Sequence, residues 1–347
     1  LLVAGEPSPR YGHSMVNLNG KVYLFGGATA YVSDTLPISS SAGVSGYVPA
    51  SMLLNDIFAS DPDPTIWAPE EPANNPPPAR KNHSAVALGE KMYILFGEGD
   101  GGLLQDIWMY DPLSRLWQEQ VVSGLSKPAA RTGHSTVAMF GQIFVYGGRT
   151  AEGAVNDLWA FNTGRGSNTW TQRANGGIPV YGHRAVANDT GGKMYVLGGY
   201  NDDFRNDLLS YDLNTNTWEN IVVEGDRPSR RAFPVATFSA NKITIATGRG
   251  YNSSGVVTDL DDTWEFDTVA VNWAPKAKVS PHSFSSAVVI PRSPFSAQRE
   301  LQNLGLAPRT TPGTAILFFG GLRDGRPIAE TFEYTGQYLF RLPMVFR

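Results

Sequence analysis

Four of the five histidines in this chain share a phrase: His13 in "RYGHS", His83 in "RKNHS", His134 in "RTGHS" and His183 in "VYGHR". A histidine beside a serine has the parts of a base and a nucleophile, and an arginine three residues earlier has the fork that grips a carboxylate. Arg10, Arg80, Arg131, Arg230 and Arg231 precede these phrases and their fifth counterpart. Arg149, Arg249 and Arg323 follow glycine-containing turns, and Arg205 closes the loop "NDDFR". Tyr11, Tyr181, Tyr200 and Tyr251 fall in the same zones. Planar cations interleaved with aromatic rings suit carboxylates or sugars.

Recurrence weighs against catalysis. A hydrolytic triad needs one base, oriented by one acid, beside one exposed hydroxyl; a metal needs converging ligands. A histidine repeated at equivalent places meets neither requirement and belongs first to the scaffold. His282 stands apart: it takes the place of the arginine that opens the repeat, which makes it a candidate pocket residue. The acids of "YNDDF" and "DLDD" lack the spacing of a calcium loop. No metal or cofactor is implied, and the absence of cysteine excludes disulfides and thiolate sites.

These residues are positioned by a repeat. After the His-Ser phrase comes an apolar strand closed by a glycine doublet: Gly26-Gly27, Gly147-Gly148, Gly198-Gly199 and Gly320-Gly321, with Gly97-Glu98 and Thr247-Gly248 as degenerate copies. An "N-D-[LI]-[WF]-x-[YF]-D" phrase follows, centred on Asp56, Asp106, Asp157, Asp207, Asp262 and Glu330. With Phe233 and Ser285 read as the fifth and sixth counterparts of the histidine, the steps from His83 are 51, 49, 50 and 52. All eight tryptophans fall at two positions of this repeat. A period near 50 residues holding four strand-length apolar stretches between Gly, Asn, Asp and Pro is that of a four-stranded propeller blade.

On these motifs the chain resembles the Kelch-repeat family over essentially its whole length. The resemblance implies an all-β fold, a six-bladed Kelch-type β-propeller with four antiparallel strands per blade, A innermost to D outermost. It is read as a single unit over residues 1–347, with approximate repeats 5–67, 75–120, 126–173, 177–223, 226–275 and 280–342. The last blade takes its outer strand from "QYLFRLPMVF", with residues 1–4 as an extension. Strand A is expected to carry the histidines along a central channel, with the arginines and tyrosines near one mouth. In Kelch proteins the usual binding face bears the B–C loops and the D–A linkers.

Departures from the period mark where function is added. Gly27 to Asp56 spans 29 positions, against eight or nine in the second to fourth repeats, and Ser285 to Gly320 spans 35. The two insertions fall on opposite faces of the expected disc.

The net charge of -4 gives no basic field for nucleic acid, and "TAILFF" is far short of the ~18 apolar residues that span a bilayer. A start at Leu1 points to a removed leader or a longer parent chain. The compartment is open, since a cysteine-free chain suits a reducing or an oxidising one. Two functions follow. The first is a non-enzymatic interaction module that binds a protein or acidic peptide on the B–C and D–A face. The alternative is a carbohydrate-binding or sugar-isomerising propeller similar to the sialic-acid mutarotases. The Kelch-like galactose oxidases, whose tyrosine is linked to a cysteine, are excluded.

Overall fold

The computed structural model describes residues 5–30, 52–60, 66–163, 168–292, 313–335 and 339–341. The two insertions fall almost wholly outside these residues, as do residues 1–4. The described residues form six four-stranded antiparallel sheets in chain order, and no α-helix. In the third sheet the strands are Ser135–Met139, Gln142–Tyr146, Leu158–Thr163 and Asn168–Gln172, each paired with the next. The sixth sheet is completed by Leu339–Arg341, so its outer strand comes from the C-terminal segment.

Strand B explains the packing. "IFVY" in Gln142–Tyr146 is apolar at every position because both faces of the sheet are covered. Ile143 and Val145 pack with Tyr93, Leu95 and Ile107 of the second sheet, whereas Phe144 and Tyr146 pack with Met194, Val196 and Tyr211 of the fourth. The same arrangement recurs around the molecule, and one core joins the first sheet (Val22, Leu24, Trp67) to the sixth (Leu317, Phe319). The D-strand tryptophans are wedges between sheets: Trp117 lies against Phe25, Trp170 against Phe96 and Trp218 against Tyr146. Each buried aromatic of this kind contributes roughly 1.5–3 kcal/mol.

Backbone hydrogen bonds join the six strand-A openings. The N–H groups of Gly12, Asn82, Gly133, Gly182, Phe233 and Phe284 each donate to the carbonyl of the preceding member, Gly12 to Phe284, at 2.6–3.2 Å. All six have positive φ, from +50° to +65°. This head-to-tail ring encircles the axis. A histidine, or its counterpart, follows each ring member, so the fifth counterpart is Pro234 and not Phe233. The histidines therefore stand just before strand A, not within it.

The doublet makes a second set of stitches. Gly148 donates its N–H to Val180 O at 2.9 Å, joining the third sheet to the fourth, and Gly321 donates to Arg10 O at 2.8 Å, joining the sixth to the first. In the second sheet the equivalent pair is Phe96-Gly97, with φ of +54° and +102°, so the expected Gly97-Glu98 is one residue out of register. At Gly148 (φ +100°) a Cβ would meet His134 Cβ at 2.8 Å and Thr132 O at 3.0 Å. Gly148→Ala is expected to destabilise by about 1–3 kcal/mol. A urea midpoint equal to wild type would contradict this role.

Candidate functional site

Among the described residues, strand B continues past its glycine turn into a short hairpin in the second to sixth repeats: Glu98–Gly99 with Gly102–Leu103, Arg149–Thr150 with Gly153–Ala154, Tyr200–Asn201 with Asp203–Phe204, Arg249–Tyr251 with Val257–Asp259 and Leu322–Arg323 with Arg326–Pro327. The residue before each ring member pairs with this segment, as Thr132 does with Arg149 and Tyr181 with Tyr200. Hairpins and ring therefore make up one face.

Four of the expected site arginines are not on it. Arg10, Arg80, Arg131 and Arg231 are 0–1% exposed, and each forks onto the acid of its own repeat. Arg131 donates from Nη1 to Asp157 Oδ1 at 2.6 Å and from Nη2 to Oδ2 at 2.9 Å, with Gly147 O and Ala129 O accepting its other bonds. Arg80 holds Asp106, Arg231 holds Asp262 and Arg10 holds Asp56 in the same way. Trp108, Trp159 and Trp264 add an indole N–H to their acids. Burial alone would raise these carboxyls, yet hydrogen bonds and charge from the arginines hold Asp106, Asp157 and Asp262 below the usual carboxylate range. These arginines fasten strand A to strand C, and a ligand cannot reach them.

His282 is also a correction. It is 1% exposed, its ring stacks on Phe332, and Nδ1 lies 2.6 Å from Ser280 O. It fills the arginine's place with a shorter side chain. Glu330 is reached instead by Arg323, whose Nη2 also donates to Ser280 Oγ at 2.7 Å. Arg323 thus performs the missing clamp from the hairpin. Arg249 is tied to the buried Asp259, which also accepts from Ser283 Oγ and the Asp324 N–H. Tyr11 is buried at 1% exposure against Phe284.

The histidine phrases bring Ser and His into contact between sheets, not within one. Ser14 Oγ lies 2.8 Å from His83 Nε2, and Ser84 Oγ 2.7 Å from His134 Nε2. All four side chains are buried. Desolvation and the neighbouring arginine lower His83 to about 3 and His134 well below its ordinary value. They are neutral struts.

What remains on the face is concentrated on the third to fifth sheets. Arg149 lies over the Tyr181 ring, 5.9 Å from its centroid. Tyr181 meets Tyr200 edge-on at 5.7 Å, Tyr200 meets Phe204 at 5.3 Å, and Phe204 meets Tyr251 at 5.2 Å. Tyr181 also touches Phe233, which stacks on Phe284 at 3.7 Å, so one aromatic arc runs from neck to rim. Tyr200 and Phe204 are its buried backing; Tyr251 is 38% exposed. Arg230 pairs with Asp203 across two sheets at 2.6 Å, both side chains exposed. Arg205 has no carboxylate partner among the described residues, where no group of three or more His, Asp or Glu could hold a metal. Phe204 and the Lys81–Glu98 pair are not among the residues expected from sequence, and Asp203, weighed there only as a calcium ligand, pairs instead with Arg230. Phe204 and Asp203 carry a signal, since both lie beside Tyr200 in a hairpin next to the doublet.

Sheets stacked side by side about an axis, with their loops gathered over its mouth, define a β-propeller. The chain belongs to the Kelch-repeat family. The KLHDC2/KLHL20/DRC7 Kelch-repeats domain matches residues 2–124 and 40–180, and the Attractin/LZTR1 beta-propeller matches residues 118–293. Similar proteins include rat Kelch domain-containing protein 3, 34% identical over 50% of this chain and 49% of its own length. The dynein alpha chain of the Chlamydomonas reinhardtii flagellar outer arm is 30% identical over 62% of this chain and 5% of its own. The Drosophila homolog of leucine-zipper-like transcriptional regulator 1 is 26% identical over 71% and 25%. The chain spans about half or less of the length of these relatives. No helix among the described residues is long and apolar enough to cross a membrane.

Proposed function

We propose that this chain is a non-enzymatic interaction module that binds a segment of another protein on the face of the B–C hairpins and D–A linkers. One observation carries the reading: the aromatic arc Tyr181–Tyr200–Phe204–Tyr251, with Arg149 at one end and the Arg230–Asp203 pair at the other. Aromatic rings backed by a rigid core lose little entropy on binding, and arginine beside them adds directional contacts. Similarity to Kelch domain-containing and LZTR1-type proteins supports the same reading.

An acidic segment fits Arg205. The wider ring of cations expected from sequence is reduced, because Arg249, Arg323 and Arg230 already face carboxylates. The exposed Tyr251 ring beside the Arg230–Asp203 pair also has the chemistry of a sugar subsite, which keeps the carbohydrate alternative in the test.

Affinity capture from the native source, with wild type beside Arg149→Ala/Tyr251→Ala, checks the proposal. The variant is expected to lose the partner by tenfold or more, since two contacts of about 1 kcal/mol each give that factor, while its melting temperature stays near wild type. Equal capture by both proteins would remove this face from the site. A glycan that binds wild type alone, with no protein partner, would favour the alternative.

A further inference from the structure

The neck of the channel holds one charge that the repeat does not explain. Ser14, Ser84, Ser135 and Ser286 follow the histidine position in four repeats; in the fourth that place is taken by Arg184. Its Nε donates to Pro234 O at 2.8 Å and its Nη2 to Ser285 O at 3.0 Å. Both acceptors are neutral carbonyls of other sheets. Among the described residues no carboxylate pairs with it, and Nη1 makes no hydrogen bond.

Arg184 faces a small cavity under the backbone ring. The six ring members line it together with His13, His83 and His134, and its volume of about 20 Å³ is room for a single water-sized particle. The ring's own N–H groups are spent on one another. Desolvation lowers Arg184 to about 10, so it remains a cation, and its charge helps to depress His13, His134 and His183. The wall therefore holds a cation and neutral imidazoles. Arg184 is deep in the molecule yet half-buried, open to the channel, and a cation so placed without a counter-ion is costly; an acceptor-only particle of small radius relieves the cost more than water does.

We propose that the channel neck binds one monatomic anion, chloride or a similar halide, against Arg184 Nη1 beneath the hydrogen-bonded ring. The anion neutralises Arg184 and so ties the fourth sheet to the fifth and sixth, whose carbonyls Arg184 already reaches.

The test is thermal unfolding of the full chain in sodium chloride and in sodium gluconate at matched ionic strength and neutral pH. Gluconate is too large for the cavity. Wild type should melt about 2–4 °C higher in chloride, the shift expected when a modestly bound ligand stabilises the native state of a chain this size. Arg184→Ser, which restores the common repeat residue, should show no difference between the salts, while Arg184→Lys should retain one. If Arg184→Ser does not fold, a bromide-soaked crystal of wild type decides, with an anomalous peak expected beside Nη1. Equal melting of wild type in both salts, a chloride effect that survives Arg184→Ser, or a neck without bromide would overturn the proposal.

Discussion

Arg131→Ala should destabilise the protein by about 3–5 kcal/mol, the cost of removing one partner from a buried ion pair. The loss has two parts. Asp157 would keep its charge in a partly enclosed site with the Trp159 indole and its own backbone N–H to answer it, and Gly147 O and Ala129 O would lose their donor. Arg131→Lys should recover little, because one ammonium cannot span two carboxylate oxygens and two carbonyls. Asp157 is 18% exposed at its side chain, so solvent screens part of the charge and favours the lower end of the range. The fourth repeat is the internal control: Val180 and Leu209 stand where arginine and tryptophan would be, and both are buried in the core beside Tyr146. The clamp is therefore one of three arrangements at this place, beside the apolar packing of the fourth repeat and the Arg323–Glu330 pair of the sixth. A midpoint for Arg131→Ala within experimental error of wild type would show that the clamp is ornamental.

Acid should unfold the protein through its histidines before its carboxylates. Burial holds His83 and His183 at about 3 and His282 at about 4, and keeps His13 and His134 well below their ordinary value. In the unfolded chain an imidazole takes a proton near pH 6.5. Folded pKa values lie below unfolded ones, so this stability is fully present above about pH 6.5 and is lost as the pH falls toward 3–4. Each proton bound only by the unfolded chain costs about 1.4 kcal/mol per pH unit. Five such groups give a slope on the order of 5–7 kcal/mol per unit near pH 5–6. Asp106, Asp157 and Asp262, whose pKa values are lowered, add their loss only below about pH 4. Denaturant midpoints at neutral pH and near pH 5 measure the effect; equal midpoints would mean that the histidines are charged or exposed in the fold.

Much of this architecture is legible in the sequence because each landmark has one structural duty. The doublet marks a turn that positive φ permits, the tryptophans mark the wedge between sheets, and the period sets one sheet per repeat. Orientation is harder to read. An arginine at the opening of strand A points to the mouth or into the disc with equal ease, and only its co-occurrence with an aspartate in the same repeat distinguishes the two. That signal is present: repeats one, two, three and five have both residues. In the sixth, His282 replaces the arginine and Arg323 compensates from a position that looked like part of a binding site. The ring was hidden because it is made of backbone, by residues as unlike as glycine, asparagine and phenylalanine. Arg184 is inconspicuous in the sequence because it follows a histidine that the repeat assigns to the scaffold.

The arc of rings is a different kind of feature. Tyr181, Tyr200 and Tyr251 are visible in the sequence as tyrosines near turns, but their contact passes through Phe204 and joins two consecutive sheets. Separation of about 20 to 50 residues conceals such a surface until the sheets are placed side by side.

Hydrogen–deuterium exchange on the chain with and without its captured partner tests the central claim most directly. Partner binding is expected to slow exchange in the hairpins Arg149–Ala154, Tyr200–Phe204 and Arg249–Asp259, leaving the C–D turns on the opposite face, such as Asp212–Thr217, unchanged. Protection confined to those C–D turns, with the three hairpins exchanging as in the free chain, would contradict it.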